Sequence, residues 1–175
     1  KSYEGTILLG SSTHTDDMDG ELTSTAAKED LAKVTNESIS AELAKFVGKI
    51  KQRPSSVSAI KIDGKSAHAR VRAGEQVEIP ERDVTIDEIL VKDIRVYETG
   101  IEVDVSVTCS AGTYIRAIAR DLGDQLMVGG HLISLRRTLV SPFSLESCHQ
   151  IKDAELIPIV EVIEKLFLVR NLDFS

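Results

Sequence analysis

Tyr114 and Arg116 are the side chains whose position in this sequence most suggests chemistry. They follow a turn of small residues, 110–112, that comes directly after an alternating apolar segment. Proteins of the α/β type commonly bind ligands at the carboxyl ends of strands, so this turn would hold a phenol and a guanidinium at one place on rigid backbone. The pattern alone favours a structural interpretation, in which the tyrosine is a half-buried packing residue and the arginine is solvated.

The segments on either side of this turn have different periodicities. Apolar residues alternate with polar ones over residues 101–109, which predicts a strand with one buried face. After the turn, apolar residues recur at helical spacing over residues 115–122. We expect Thr113 to cap this helix and Gly123 to end it.

Length and composition indicate a globular domain. A chain of 175 residues, of which 42% are hydrophobic, is long enough to bury a core. It has no apolar run of membrane-spanning length and no signal-peptide pattern, which predicts a cytoplasmic protein without a membrane partner. Cys109 and Cys148 form no disulfide framework and, even with His131 and His149, no zinc-binding pattern. We therefore expect a reducing compartment and no bound metal.

Charge is distributed unevenly along the chain. The formal net charge of −7 argues superficially against a nucleic-acid partner. However, residues 49–72 contain seven basic residues and only Asp63 as an acidic one, whereas residues 16–42 contain eight acidic residues and only two basic ones. The basic segment could face phosphates, or it could be an ordinary solvated face.

The other elements complete an α+β fold, with a mixed, mostly antiparallel sheet and helices packed on one side. Apolar spacing predicts a short helix at 25–34 and an amphipathic helix from Thr35 to the Pro54 breaker. The remaining strands are predicted at residues 1–10, 56–62 and 84–96. An Asp-Gly turn is expected at residues 63–64, and a hairpin turn at 98–100.

Two weaker motifs fail on spacing. Three aspartates in the polar run 11–20 suggest calcium, but no glutamate closes the loop as in an EF-hand. Residues 64–66 read Gly-Lys-Ser, but a phosphate-binding loop requires a glycine where Ala59 stands. Neither segment predicts an ion or nucleotide site.

Four segments, in the expected order, resemble motifs of the TruB-type tRNA pseudouridine synthases. Residues 112–123 are similar to G-T-Y-I-R-x-L/I-x-x-D-L-G. Residues 1–20 resemble K-x-Y-x(5)-L-G-x-x-T-D-T-x-D-x-x-G, with His14 in place of the first aspartate. This family is identified here from the motifs together, because they cover most of the chain.

The other two segments depart from the family pattern at a few positions. Residues 52–74 resemble Q-x-P-P-x-x-S-A-x-K-x-x-G-x-x-x-Y-x-x-A-R-x-G, with Ser55 for the second proline and His68 for the tyrosine. Residues 129–138 resemble G-x-x-A-H-x-x-x-L-R-R-T, with Gly130 for the alanine. A glycine is usual where Met127 stands.

The resemblance implies an enzyme that converts the T-loop uridine of tRNA to pseudouridine. Such enzymes flip the base out, break its glycosidic bond, turn the uracil and rejoin it through carbon 5, without a cofactor. By this resemblance Tyr3 would stack on the base and move a proton from carbon 5, and Leu135 would line the uracil pocket. Tyr114 would shape the pocket, and Arg116 would keep a nucleophilic aspartate ionised.

The resemblance also implies tRNA as the partner, through its T-arm, with no obligate protein partner. The expected RNA-binding residues are Lys49, Lys51, Arg53, Lys61, Lys65, His68, Arg70, Arg72, Arg136 and Arg137. Residues 1–152 would form the catalytic domain. Residues 153–175 would be a linker and the start of a C-terminal RNA-binding module.

The family's nucleophilic aspartate lies in a G-x-L-D-P-x-A-x-G motif, which this sequence does not contain. Asp17, Asp19 and Asp121 match other family positions and are not expected to replace it. We therefore expect the chain to be a fragment without its N-terminal part, and to be inactive alone.

Two other classes of function are compatible with the sequence. One is a non-catalytic RNA-binding protein on the same fold, and the other is a structural α/β domain. Both would leave Tyr3, Tyr114 and Arg116 unexplained, because RNA affinity alone does not require a buried arginine with no carboxylate to meet.

Overall fold

A computed structural model describes residues 1–55, 61–62, 65–66 and 80–148. Its strands, in chain order, are β1 (Ser2–Leu9), β2 (Ser11–Thr13), β3 (Leu22–Thr25), β4 (Gly48–Gln52), β5 (Lys61–Ile62), β6 (Lys65–Ser66), β7 (Arg82–Tyr97), β8 (Gly100–Cys109), β9 (Gly130–Val140) and β10 (Phe143–Ser144). The helices are α1 (Lys28–Leu31), α2 (Asn36–Ala44) and α3 (Ile115–Gln125), with a 3₁₀ turn at Leu145–Ser147. No helix among the described residues is both long and apolar enough to cross a membrane.

Six of these strands form one sheet, in the order β10-β9-β1-β8-β7-β4. Each strand pair described in it is antiparallel. The α+β fold with a mostly antiparallel sheet is thus confirmed, as are the strands predicted at 1–10, 84–96 and 101–109. Of the strand predicted at 56–62, only Lys61–Ile62 is described, and it pairs with Lys65–Ser66. The predicted turn at 63–64 and the segment 153–175 lie outside the described residues.

Strand β8 shows how the sequence pattern builds the core. Val103, Val105 and Val107 are fully buried, whereas the residues between them are partly exposed. The buried side chains join those of β1, α2 and α3 in one hydrophobic cluster. The alternating segment therefore separates a helix-covered face of the sheet from a wet one.

The wet face carries a polar network across β1, β7 and β8. Thr6 Oγ1 donates to Asp104 Oδ1 at 2.6 Å. Arg95 binds the same carboxylate, with Nη1–Oδ2 and Nη2–Oδ1 distances of 2.6 and 3.0 Å. The hydrogen bond from Arg95 holds the pKa of Asp104 below its usual value.

The helix predicted from Thr35 to Pro54 is wrong in its second half. Thr35 does begin it, as the N-cap of a capping box with Ser38: the Ser38 N–H donates to Thr35 Oγ1 at 3.2 Å. The helix ends at Ala44, and Gly48, with a φ of 104°, turns the chain into β4. The short apolar run to Ile50 fits either periodicity, and pairing with β7 decides for a strand. Likewise, the helix predicted at 25–34 is shorter, at Lys28–Leu31.

The predicted ends of α3 are also wrong. Tyr114, not Thr113, is the N-cap, and Thr113 Oγ1 instead donates to the Ser110 carbonyl at 3.1 Å. At the other end the helix continues past Gly123 to Gln125. Met127, with a φ of 58°, then takes the left-handed position of a Schellman motif, in which the Val128 N–H donates to the Gly123 carbonyl at 3.0 Å.

Gly123 is needed for close packing rather than for stopping the helix. A Cβ atom at this position would overlap the backbone of Gly129 and Gly130, where β9 begins. The bare Gly123 backbone therefore lets α3 lie directly against the start of β9.

We predict that Gly123→Ala lowers the free energy of unfolding by about 1–3 kcal/mol, because the methyl group must displace backbone. Helix propensity alone predicts the opposite sign, a gain of about 1 kcal/mol. The measurement is urea unfolding with linear extrapolation. The exposed Gln125→Ala in the same helix serves as the control and should change little. A Gly123→Ala protein more stable than the wild type would contradict the close packing of α3 against the start of β9.

Candidate active site

Two hydrogen bonds attach the turn between β8 and α3 to the neighbouring strand β7. The Ser110 N–H donates to the Thr85 carbonyl at 2.8 Å, and the Thr85 N–H donates to Ser110 Oγ at 3.0 Å. Gly112 has a φ of 90°, and no atom lies within 4 Å of where its Cβ would be. The turn is thus anchored at its base and open at its tip.

Arg116, in the first turn of α3, meets a carboxylate that the sequence analysis did not foresee. Its Nη1 donates to Asp17 Oδ2 at 2.6 Å. The other oxygen of Asp17 accepts from Thr15 Oγ1 at 2.5 Å and from the Asp19 N–H at 3.2 Å. The expectation of an arginine without a carboxylate partner is therefore wrong. Asp17 lies in a polar run without periodicity, so nothing in the local pattern pointed to this contact.

Backbone hydrogen bonds to β9 place the loop that carries Asp17. The Leu132 N–H donates to the Asp16 carbonyl, and the Met18 N–H donates to the Leu132 carbonyl, both at 3.0 Å. Asp17 and Leu132 form an isolated parallel bridge as a result. The loop therefore behaves as a short extra strand along the start of β9.

These elements line an open pocket of about 330 Å³. It is lined by Asp17, Met18, Asp19, Arg116 and residues 132–135 of β9. Leu135, predicted to line a uracil pocket, forms part of this wall and is 48% exposed. Gly5 of β1 lies opposite Leu135, and a Cβ there would come within 3.5 Å of Leu135 Cδ1.

The structure brings together only some of the predicted site residues. Arg116 and Leu135 share the pocket. Tyr3 lies two residues before Gly5 on β1, opposite Val107, and packs partly buried against the core. Tyr114 is partly buried at the N-cap of α3. Neither tyrosine is among the pocket's lining residues.

One helical turn beyond Arg116, Arg120 forms a second and more buried cluster. Its side chain is 12% exposed and bonds Asp16 Oδ2 at 3.1 Å, Asp121 Oδ1 at 2.7 Å and the Arg53 carbonyl at 2.8 Å. Burial raises the pKa of both Asp16 and Asp121, while the charge of Arg120 opposes that rise. Arg120 therefore compensates the charges of the buried Asp16 and the partly exposed Asp121.

The predicted RNA-binding residues that are described fall into two groups. Lys49, Lys51 and Arg53 are exposed on and just after β4, the edge strand. Arg136 and Arg137 are exposed on β9, with three strands between β9 and β4. At the usual strand spacing, the two groups are roughly 19 Å apart across the sheet.

The other predicted RNA-binding residues are less completely described. Lys61 and Lys65 are described as strand backbone only. His68, Arg70 and Arg72 lie outside the described residues. Within the described part of the chain, no three His, Cys, Asp or Glu side chains are grouped as metal ligands.

Comparisons with known proteins agree on one family. A family model described as "TruB family pseudouridylate synthase (N terminal domain)" matches residues 1–115. A second, described as "tRNA pseudouridylate synthase B C-terminal domain", matches residues 116–165. The boundary between these two matches, between residues 115 and 116, falls within the motif that contains Tyr114 and Arg116.

Relatives and solved structures agree with these matches. The chain is 52% identical over 162 residues to tRNA pseudouridine synthase B of Corynebacterium diphtheriae, covering 93% of this chain and 54% of the relative. It is 49% identical over 173 residues to that of Corynebacterium glutamicum (strain R), covering 99% and 54%. The chain thus spans about half the length of the curated relatives it matches. A solved structure titled "Crystal Structure of a Cbf5-Nop10-Gar1 Complex" aligns with a TM-score of 0.55 and 27% identity, over 83% of this chain and 31% of that one.

We predict that Arg120→Met lowers the free energy of unfolding at neutral pH by about 3 kcal/mol, because it leaves the buried Asp16 and the partly exposed Asp121 without their arginine partner. Arg116→Met, in the same helix, should cost less than about 1 kcal/mol, since its pair with Asp17 is partly solvated. Urea unfolding of both variants measures the difference. Equal costs would contradict the buried cluster.

The deficit of Arg120→Met should also depend on pH. Without the arginine, the pKa of Asp16 and that of Asp121 rise further, so both groups favour the protonated form in the folded state. A raised folded-state pKa gives stability at low pH that is lost as the pH rises through it. We therefore expect a smaller deficit near about pH 4 than near neutrality, and a constant deficit would contradict this assignment.

Proposed function

The chain belongs to the TruB family of pseudouridylate synthases, and we propose that its residues form part of an enzyme that isomerises the T-loop uridine of tRNA to pseudouridine. One observation carries the proposal. Arg116, Asp17 and Leu135 come from three separate family motifs, and they meet at one pocket between α3 and β9. Such convergence of a charged pair and an apolar wall suits an extruded uracil, which needs apolar surroundings and a defined polar edge.

In this proposal the uracil enters the pocket against Leu135, and Tyr3 supports its face. The bond between ribose C1′ and uracil N1 breaks with its electrons left on the uracil, the base turns, and carbon 5 forms the new bond to C1′. Carbon 5 then loses its proton and N1 gains one, so the reaction is a net isomerisation. The Tyr3 hydroxyl, directly or through water, relays the proton from carbon 5 by taking it up as it gives up its own.

Asp17 acts by orienting Arg116. A guanidinium carries five N–H donors, and the contact with Asp17 uses only Nη1. The remaining donors can bind the nucleophilic aspartate of the family's G-x-L-D-P-x-A-x-G motif and keep it ionised. Since both Asp17 oxygens are themselves hydrogen-bonded, the arginine is held by a carboxylate that cannot easily rotate away.

Phosphates of the RNA would contact the exposed basic side chains of β4 and β9. These are Lys49, Lys51 and Arg53 at one edge of the sheet, and Arg136 and Arg137 near the other. We further propose that the protein works in the cytoplasm and requires no obligate protein partner. A non-catalytic RNA-binding role is less well supported, because phosphate binding gives no reason for the Arg116–Asp17 pair beside a pocket.

We predict that Lys49→Glu with Lys51→Glu weakens binding to a T-arm stem-loop and makes the slope of log affinity against log salt shallower by about 1 to 2. The double variant Lys28→Glu and Lys33→Glu makes the same charge change at the start of α1 and just after its end, away from the proposed surface, and should have a much smaller effect. Fluorescence anisotropy across a salt series measures both. Equal losses would indicate a non-specific effect of net charge.

Replacing Lys61, Lys65 and Arg72 together with Glu, which reverses their charges, should abolish binding to the stem-loop.

We predict that residues 1–175 alone form no pseudouridine, because they contain no G-x-L-D-P-x-A-x-G motif. A chimera in which residues 1–175 replace the matched region of the Corynebacterium glutamicum relative supplies that motif and should be active. The assay is tritium release from 5-tritiated uridine in the stem-loop at saturating RNA. In the active chimera, Arg116→Ala should lower turnover by at least about 100-fold. Activity of the 175-residue chain alone, or an inactive chimera that still binds RNA, would argue against the proposal.

A further inference from the structure

Gln52, the last residue of the edge strand β4, carries a buried amide directly behind the candidate site. The residue is only 1% exposed. Its Oε1 accepts the Tyr114 N–H at 2.8 Å, and its Nε2 donates to the Tyr114 carbonyl at 3.0 Å. One side chain thus binds both backbone groups of a residue 62 positions away.

Tyr114 has backbone groups that α3 alone does not satisfy. As the N-cap it is extended, with a φ of −100° and a ψ of 108°, and no side chain caps the helix there. Its carbonyl accepts from the Ala117 N–H within α3, but its own N–H points out of the helix. Gln52 therefore supplies the hydrogen-bond donor and acceptor that the backbone of a neighbouring strand would otherwise supply. It fixes the point at which the extended chain becomes helix.

That point determines where Arg116 lies, because Arg116 is two residues farther along in the first turn of α3. Gln52 is itself held by pairing with Arg82 of β7. The residues that follow it reinforce the contact: the Arg53 carbonyl accepts from Arg120 Nη2, and Ser55 Oγ donates to the Thr15 carbonyl at 2.9 Å. Residues 52–55 therefore bind both α3 and the loop that carries Asp17.

We propose that Gln52 is a positioning residue for the isomerisation reaction: it sets the start of α3, and hence the placement of Tyr114 and Arg116, without contacting the base. This inference rests on the proposed function. Gln52 lies within the basic segment, between Lys51 and Arg53, but it is buried and has no charge, so its loss should affect turnover rather than RNA affinity.

The test is Gln52→Met in the active chimera, which keeps the length of the side chain and removes both hydrogen bonds. We expect kcat to fall by about 10- to 100-fold, because small misplacements of reacting groups have effects of this size. The Kd for the stem-loop, measured by anisotropy, should change less than about 2-fold. Thr6→Val is the control: it removes one hydrogen bond on the opposite face of the sheet and should leave kcat unchanged.

Gln52→Glu provides a second, pH-dependent measurement. An ionised carboxylate can accept the Tyr114 N–H but cannot donate to the carbonyl, whereas a protonated carboxyl group can do both. Burial should raise the pKa of the introduced group, so kcat relative to wild type should recover as the pH falls. This variant also replaces Gln52→Met if the latter does not fold. A purely structural role would not give such recovery.

Three results would overturn the inference: an unchanged kcat in Gln52→Met, a loss no larger than in Thr6→Val, or a loss confined to Kd. An inactive wild-type chimera would instead count against the proposed function. In that case amide hydrogen exchange at Tyr114 in the 175-residue chain still tests the contact. Gln52→Met should accelerate that exchange, and unchanged exchange would show that Gln52 does not hold Tyr114.

Discussion

The rest of the site depends on two ion pairs. They join two arginines of one helix to two consecutive aspartates of one loop. Arg116 and Arg120 are one helical turn apart and lie on the same face of α3. Asp16 and Asp17 are adjacent, yet each pairs with a different arginine. Asp16 has a φ of 60°, an uncommon conformation for a residue with a side chain, and this bend accompanies the separation of the two carboxylates. The buried Arg120–Asp16 pair anchors the loop, and the more exposed Arg116–Asp17 pair faces the pocket.

This pairing also explains how an acidic chain can present exposed basic side chains at the edge of its sheet. The most acidic part of the sequence, residues 16–42, supplies the carboxylates that neutralise nearby basic side chains. Asp16 and Asp17 pair with the arginines of α3, while Asp30 and Glu42 pair with Lys33 and Lys45. The exposed lysines of β4 lie at the edge of the sheet, away from these pairs. The net charge of −7 is therefore a poor guide to the local potential at the pocket.

Sequence reasoning succeeded where one local periodicity had one structural solution. The alternation over residues 101–109 could only be a half-buried strand, and β8 has that form. It failed where a short apolar run fitted two periodicities, as at Ile50, which pairing with β7 placed in a strand. It failed again at Gly123, where a glycine typical of helix ends serves a close approach to Gly130 instead.

The Arg116–Asp17 contact was not predicted, for a different reason. It joins residues 99 positions apart, and Asp17 lies in a loop whose residue pattern does not indicate which way its side chains point. Family motifs could indicate that both segments matter, but not that they meet.

The packing of α3 against β9 connects these observations, because the pocket is the space between them. Near its C-terminal end the helix touches the start of β9 through bare glycine backbone at Gly123. At its N-terminal end Arg116 binds Asp17, whose loop is bridged to Leu132 of β9. An ion pair therefore links the helix to the loop along the strand at this end. The pocket opens beside this pair, where Leu135 is left half-exposed. Apolar side chains at this position would stabilise the fold but would fill the space that the proposed function requires for a flipped base, and this gives a physical reason for an ion pair there.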